Sequence, residues 1–176
     1  LQAEIEANCA LLYGVTGSGK TQIYIKLIEQ TLSAGKTAML LVPEIALTPQ
    51  LSARFTSLFG AQTAVIHSGL SQADRLAAFE RVKSGRARIV IGTRSAVFSP
   101  LSRIGLIILD EEGEPSYKSD AAPRYHARDV AKWRCGYHKA TLLLGSATPS
   151  VDSRFQAQRG RYHYFALNSR FAQARM

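Results

Sequence analysis

Six short apolar runs recur along the chain: CALLYG (residues 9–14), TAMLLVP (37–43), TAVIHS (63–68), RIVIGT (88–93), IGLIILDE (104–111) and TLLLGSA (141–147). Each is nearly continuous in Leu, Ile, Val and Ala. A strand with one wet face alternates apolar and polar residues, whereas a strand covered on both faces has no reason to. Continuous runs therefore point to a parallel sheet held between two layers of helices. Parallel neighbours need crossovers, and the segments between the runs have helical character. Residues 20–32 put Ile23, Leu27, Ile28, Thr31 and Leu32 on one stripe, with Gly35 as a stop. Thr48 before Pro49 reads as an N-cap followed by a favoured first helical residue, and that helix can run to Phe59 before Gly60. Ser71 and Asp74 have a capping-box-like spacing ahead of a helix that ends at Gly85. HARDVAKWRCGYHKA is a further helical segment, weakened by Gly136 near its end. The expectation is a doubly wound α/β domain with right-handed crossovers, so ligands belong at the carboxyl ends of the strands.

A chain of 176 residues suits one such domain and is short for two. No apolar run approaches the roughly 20 residues that span a bilayer, and the first residues are acidic and polar, so neither membrane nor export is signalled. Cys9 and Cys135 lie far apart without a CxxC pair, which signals neither a disulfide framework nor a zinc site and fits a reducing cytosol. The formal charge of +9 favours a polyanionic partner if the basic residues share a face; a solvated basic surface is the other reading.

GVTGSGKT, covering Gly14, Val15, Thr16, Gly17, Ser18, Gly19, Lys20 and Thr21, follows the first strand and opens the first helix. It matches GxxxxGK[ST] in the context that gives the pattern its meaning. Glycines let successive backbone N–H groups curl around phosphate, the helix N-terminus adds positive potential, and Lys20 supplies a full charge. Thr21 would hold Mg²⁺ through its hydroxyl. A second anchor for that cation is expected at a neighbouring strand tip, where Asp110 ends GLIILD; Glu111 follows, placed to orient or deprotonate a water. A solvated acidic turn is the other reading of Asp110, Glu111 and Glu112. PEIALTPQ, GTRSA and GSATPS end three further strands with polar residues, and Thr93, Arg94 and the helix start at Thr48 can each meet a nucleic-acid phosphate.

GVTGSGKT, VPEIALTPQ, HSGLS, IGTRSA, LDEE and GSATPS in this order resemble the first motor lobe of superfamily 2 helicases. SYKSDAAPRYHARDVA, between LDEE and GSATPS, is similar to the primosomal helicases that restart bacterial replication. The resemblance implies a RecA-like P-loop NTPase domain over residues 1–176 that binds ATP and Mg²⁺, with Lys20, Asp110 and Glu111 catalytic and Thr21 and Asp110 on the metal. It implies that Ser146 and Thr148 link the nucleotide site to DNA and that Arg94 lies on the single-strand path. Tyr117, Lys118, Arg124, Tyr125, His126 and Arg128 would sense DNA; packing and helix capping are the other reading of Tyr125 and His126. Single-stranded and forked DNA, other primosome proteins and single-strand-binding proteins are the implied partners, in the bacterial cytoplasm at the nucleoid. Another superfamily 2 translocase, or a scaffold that binds without turnover, are the competing readings.

The resemblance also implies a second motor lobe carrying arginines, an N-terminal DNA-binding domain and a zinc-binding segment, none of which has a counterpart in these residues. The chain is therefore expected to be an excised lobe, weak in ATP binding and slow in turnover, with little room before Leu11 for an adenine-reading segment. Such helicases commonly carry His after DEE, where this chain has Gly113; coupling through a water or a neighbour such as Ser146, or weaker coupling, is expected instead. The last residues offer one more strand over 162–167 and then polar positions with Arg170 and Arg175, as if the chain continued.

Overall fold

The computed structural model describes residues 8–167; the first seven residues and the polar end with Arg170 and Arg175 lie outside the described residues. In chain order the strands are β1 (Asn8–Gly14), β2 (Thr37–Leu41), β3 (Thr63–Ile66), β4 (Ile89–Gly92), β5 (Ile104–Asp110), β6 (Lys118–Ser119), β7 (Tyr125–His126), β8 (Thr141–Ser146) and β9 (His163–Leu167). The helices are α1 (Lys20–Ser33), α2 (Pro49–Phe59), α3 (Gln72–Lys83), α4 (Ala127–His138) and α5 (Val151–Gln158). Seven strands form one sheet in the order β3-β4-β2-β5-β8-β1-β9, and every neighbouring pair is parallel. β6 and β7 pair antiparallel in a small separate ribbon. Because β8 lies between β1 and β5, the ends of these three strands emerge side by side, at Gly14, Ser146 and Asp110. The phosphate-binding pattern and the acidic strand tip therefore face the same region although they are far apart in sequence.

The apolar runs divide by alternation into two cores. Leu11, Met39, Leu41, Ile107, Leu109 and Leu144 pack on one face with Ala127, Ala131 and Cys135 of α4. Leu12, Ala38, Leu40, Leu106 and Ile108 pack on the other with Tyr24, Ile25 and Ile28 of α1 and Phe55 of α2. Both faces are covered, which is why the runs need no polar positions. The cysteines are free and buried, one in β1 and one in α4.

The caps read from sequence form. Thr48 Oγ1 accepts from the Leu51 N–H at 3.2 Å, and Ser71 Oγ accepts from Asp74 N at 3.1 Å while donating to its carboxylate at 2.6 Å. Two helices form as expected and differ in detail, with Ile23, Leu27 and Leu32 packed at the margin of the core around Ile28. The buried ridge of α1 is Lys20, Tyr24, Ile25 and Ile28, while Ile23 and Leu27 border an apolar groove beside β9. The helix is thus turned by the need to bring Lys20 and Tyr24 over the strand tips. α4 also passes through Gly136 without breaking, to end at Lys139 in the left-handed region. Its buried face is Ala127, Ala131, Cys135 and Gly136, all small, so the helix can lie close against the sheet. Helix α5 follows a weak apolar pattern that sequence periodicity does not reveal; Ser150 Oγ caps it by accepting from Ser153 N at 3.2 Å. No helix among the described residues is long and apolar enough to cross a membrane.

Candidate nucleotide site and the loops around it

The turn from β1 to α1 depends on two residues in the left-handed region, Gly17 (φ 80°) and Gly19 (φ 92°), a conformation that side chains other than glycine rarely accept. Gly19 occupies the N-cap of α1 and offers no side chain, and the first turn of the helix carries no acid. The first N–H groups of α1 are therefore left to an anion from outside the helix. Ser18 Oγ is buried without a partner among the described residues. Lys20, 8% exposed, donates through Nζ to the Gly14 carbonyl at 2.7 Å and pairs with Glu111 Oε1 at 3.2 Å. A cavity of about 470 Å³ is bounded by residues 15–22, Asp110, Glu111 and Arg54 of α2. Arg54 was not expected from sequence, since only the packing of α2 beside α1 brings it there.

The three acids of the β5 tip have three different environments. Asp110 is partly buried, and Oδ1 accepts from the Tyr24 hydroxyl at 2.8 Å. Burial raises its carboxyl above the usual carboxylate value; the Tyr24 hydrogen bond opposes that shift, Glu111 adds to it, and Lys20 opposes it. Burial and the Asp110 charge likewise push the Tyr24 phenol far above its ordinary value, so it stays a donor. The Asp110 carboxylate and the Thr21 hydroxyl line the same cavity and offer it oxygen ligands, the kind a hard divalent cation takes. The residues present therefore fit Mg²⁺.

Glu111 adopts a left-handed backbone (φ 46°), uncommon for a residue with a side chain and typical of strained functional turns. Its Oε2 accepts from Ser146 Oγ at 3.3 Å and from Ala147 N at 3.2 Å, so one carboxylate touches both the phosphate-loop lysine and the turn after β8. Glu112, 2% exposed, swings the other way. It accepts from Ser150 N (2.7 Å), Ser150 Oγ (3.1 Å) and Ser153 Oγ (3.0 Å), and faces Arg128 at 3.4 Å. It ties the β5 tip to the start of α5 and to α4. Ser150 and Ser153 were missed from sequence; the spaced serines after Thr148 and Pro149 are an N-cap signal that could have found them.

The residues expected on the DNA side separate into two groups. Arg94 donates from Nη1 to the carbonyls of Ser116 (3.0 Å) and Lys118 (2.5 Å), and its guanidinium lies 5.9 Å from the Tyr125 ring centre. Tyr125 meets Phe98 edge to face at 4.8 Å. His126 is the N-cap of α4, its Nδ1 accepting from Arg128 N at 3.2 Å; burial, then the Arg128 charge, lower its pKa. Arg128 lies between Glu112 and Asp152, the latter at 3.2 Å. Packing and capping are thus what Tyr125 and His126 do in this fold. Tyr117, expected among the residues that sense DNA, has no face open to it: it is 1% exposed, because its hydroxyl reaches inward to the carbonyls of Asp110 (2.7 Å) and Leu41 (3.0 Å). Lys118, Arg124 and Thr148 are exposed, whereas Ser146 is buried and accepts from Thr148 N at 2.9 Å. A Cβ on Gly113 would lie 3.3 Å from the Thr148 carbonyl oxygen, so the turn after β8 presses on this position, and Ser146 makes the contact to Glu111 directly.

A sequence model of the DEAD/DEAH box helicase family matches residues 2–155. The chain belongs to the DEAD/DEAH box helicase family. It is 49% identical over 165 residues to the replication restart protein PriA of Bacillus subtilis, covering 94% of this chain and 20% of that protein. It is 45% identical over 172 residues to PriA of Treponema pallidum, covering 98% and 26%. The chain thus spans about a quarter or less of the length of these relatives. Among solved structures, the Pyrococcus furiosus Hef helicase domain superposes with a TM-score of 0.63 at 21% identity, covering 94% of this chain and 36% of that one. RecG bound to a three-way DNA junction superposes with a TM-score of 0.66 at 22% identity, covering 95% and 21%. The fold is that of a RecA-like helicase domain.

Proposed function

We propose that this chain is the first motor lobe of a replication-restart DNA helicase of the PriA kind, binding ATP with Mg²⁺ and driving movement along single-stranded DNA at stalled forks. The observation that carries this reading is that Lys20, Thr21, Asp110 and Glu111 meet around one cavity at the strand ends. Lys20 and the N–H groups of residues 17–21 hold the outer phosphates, which compete with the Gly14 carbonyl and Glu111 for the ammonium. Thr21 and Asp110 would hold Mg²⁺, which would supply positive charge to offset that of the phosphates. Glu111, once released from Lys20, orients and deprotonates the attacking water. Ser146 and Ala147 keep the other oxygen of Glu111 fixed, so the turn carrying Thr148 and the water-activating carboxylate move as a unit.

Lys118 and Arg124 are the exposed cations of the 115–126 loop that suit a DNA backbone. Arg94, Tyr125, His126 and Arg128 act behind them, holding the loop and α4 in register with the β5 tip. A second motor lobe, an N-terminal DNA-binding domain and a zinc-binding segment belong to the rest of the longer protein. Forked DNA, primosome proteins and single-strand-binding proteins are its partners, in the bacterial cytoplasm at the nucleoid. By itself the lobe binds ATP weakly and turns it over slowly, for want of the arginines that are worth about 10³ to 10⁵ in rate in other NTPases.

The test is ATP hydrolysis by the full-length protein with and without forked DNA, beside Lys20→Ala. Stimulation by the fork, lost in Lys20→Ala, is expected. Stimulation by RNA alone would point to a different translocase, and an absence of turnover under every condition would leave a nucleotide-binding scaffold.

A further inference from the structure

Tyr24 lies one helical turn beyond Lys20, on the same ridge of α1, and is 1% exposed. Its hydroxyl donates to Asp110 Oδ1 at 2.8 Å. The space that hydroxyl occupies exists because of a residue on a third element. Gly145 of β8 is the register partner of Asp110 in the parallel pair β5–β8. A Cβ built on Gly145 would come within 1.8 Å of the Tyr24 hydroxyl oxygen, 3.0 Å of its Cζ and 3.4 Å of Asp110 Oδ1. A helix that also carries the phosphate-loop lysine, a strand that delivers the carboxylate, and a strand between them stripped of its side chain converge on one hydrogen bond.

We propose that Tyr24 is a positioning residue for the cation site: seated over Gly145, its hydroxyl engages Oδ1 of Asp110 and leaves Oδ2 as the oxygen for the metal. This rests on the phosphate-site reading above and deepens it. A carboxylate on its own rotates about χ2 with little restraint. Fixing one oxygen selects monodentate ligation, which suits the strict octahedral demand of Mg²⁺ better than a chelating carboxylate does. The same bond ties the carboxylate to α1, so Thr21 and Asp110 are held relative to each other through the helix that begins at Lys20. The packing of the ring alone requires none of this, and the two roles separate by experiment.

ADP binding to the 176-residue chain is measured by calorimetry with Mg²⁺ and with EDTA, for the unaltered chain, Tyr24→Phe, Gly145→Ala, the double variant and Lys20→Ala. Tyr24→Phe keeps the ring and removes the hydroxyl. The expected result is that it retains the metal-free affinity and loses about tenfold of the gain that Mg²⁺ confers, the scale of one hydrogen bond to a charged group. Gly145→Ala is expected to lower the Tm and to show the same loss of Mg²⁺ dependence. In the double variant the Tm should recover above that of Gly145→Ala, because the atom nearest the new methyl has been removed. An undiminished Mg²⁺ effect in Tyr24→Phe would overturn the proposal, as would strictly additive Tm losses in the double variant. In either case, binding abolished by Lys20→Ala would leave the phosphate-site reading standing. An unaltered chain that binds no nucleotide would bring down both.

Discussion

The phosphate loop and the 115–126 loop follow β1 and β5, the two strands that flank β8, and are built from similar polar residues, yet their hydrogen bonds run in opposite directions. Lys20 apart, which the Gly14 carbonyl and Glu111 hold, the phosphate loop keeps its groups free for something outside the chain. Its helix start is uncapped, Ser18 Oγ has no partner among the described residues, and a cavity of about 470 Å³ lies in front. In and beside the other loop most of the polar side chains named in advance are engaged within the fold: Arg94 on two carbonyls, Tyr117 on two more, His126 on a helix N-cap and, in α4, Arg128 on two acids. Residues of the same type, equally suggestive in sequence, are thus left open toward a cavity in one region and are internal braces in the other. Glu111 and Glu112 repeat the contrast between adjacent positions.

That last pair gives the largest expected effect. Glu112→Ala leaves the serines at the start of α5 without their carboxylate and the Arg128 guanidinium with Asp152 as its one acid, and is expected to lower stability by about 3 kcal/mol in urea unfolding, the low end for a broken buried pair because Arg128 keeps some exposure and its second partner. Glu111→Gln should change stability by less than about 1 kcal/mol. It should nevertheless lower DNA-stimulated turnover of the full-length protein by about 10² to 10⁴. Equal stability losses at the two positions would erase the distinction between brace and reactive group.

Tyr117→Phe tests the brace in the loop. It leaves the carbonyls of Asp110 and Leu41 without their donor and should cost about 1 to 3 kcal/mol, read as a lower Tm. An unchanged Tm would mean that the hydroxyl is replaceable by water and that the loop is less firmly tied to the β5 tip.

His126→Ala removes the cap of α4 and should cost about 1 kcal/mol at pH 8. The effect carries a pH signature. The fold lowers the imidazole pKa below its ordinary 6.5, favouring the neutral ring that can accept at Nδ1. The stability gained this way is present above pH 6.5 and lost as pH falls through the lowered value, so wild type and His126→Ala should converge in acid. Curves that stay parallel from pH 8 to pH 5 would show that the cap contributes nothing.

The smallest effects on stability belong to the exposed cations of the second loop. Lys118→Ala and Arg124→Ala should leave the Tm unchanged. In the full-length protein each should weaken single-stranded DNA binding and reduce the slope of log K against log salt by roughly 0.7. A salt slope that does not move would place the DNA backbone elsewhere and remove the last residues of this loop from the contact set.

The sheet and the phosphate loop were legible because local physics governs them. Doubly covered strands must be apolar throughout, caps need Ser, Thr or Asp at fixed offsets, and a backbone cradle for phosphate needs glycine at Gly17 and Gly19. The acids at the β5 tip were legible because they directly follow an apolar run. Tyr24 was not, since a tyrosine in an amphipathic helix reads as core until the strand opposite is known. Arg54 escaped for the same reason: nothing in α2 says which neighbour it will lie beside. Nor could the sequence tell that Tyr117 turns inward, because an aromatic that stacks on a base and one that bonds two carbonyls share the same local pattern.

The sequence by itself determined the layers, the order of functional turns and the identity of the groups offered to a phosphate, all set by periodicity and backbone conformation within a few residues. Only the tertiary structure decided which polar side chains remain available. That depends on the order of strands in the sheet, which puts β8 between β1 and β5 and brings Gly145 beside Asp110, and a hydrogen bond between residues as distant as Tyr24 and Asp110 leaves no trace in the local pattern of either.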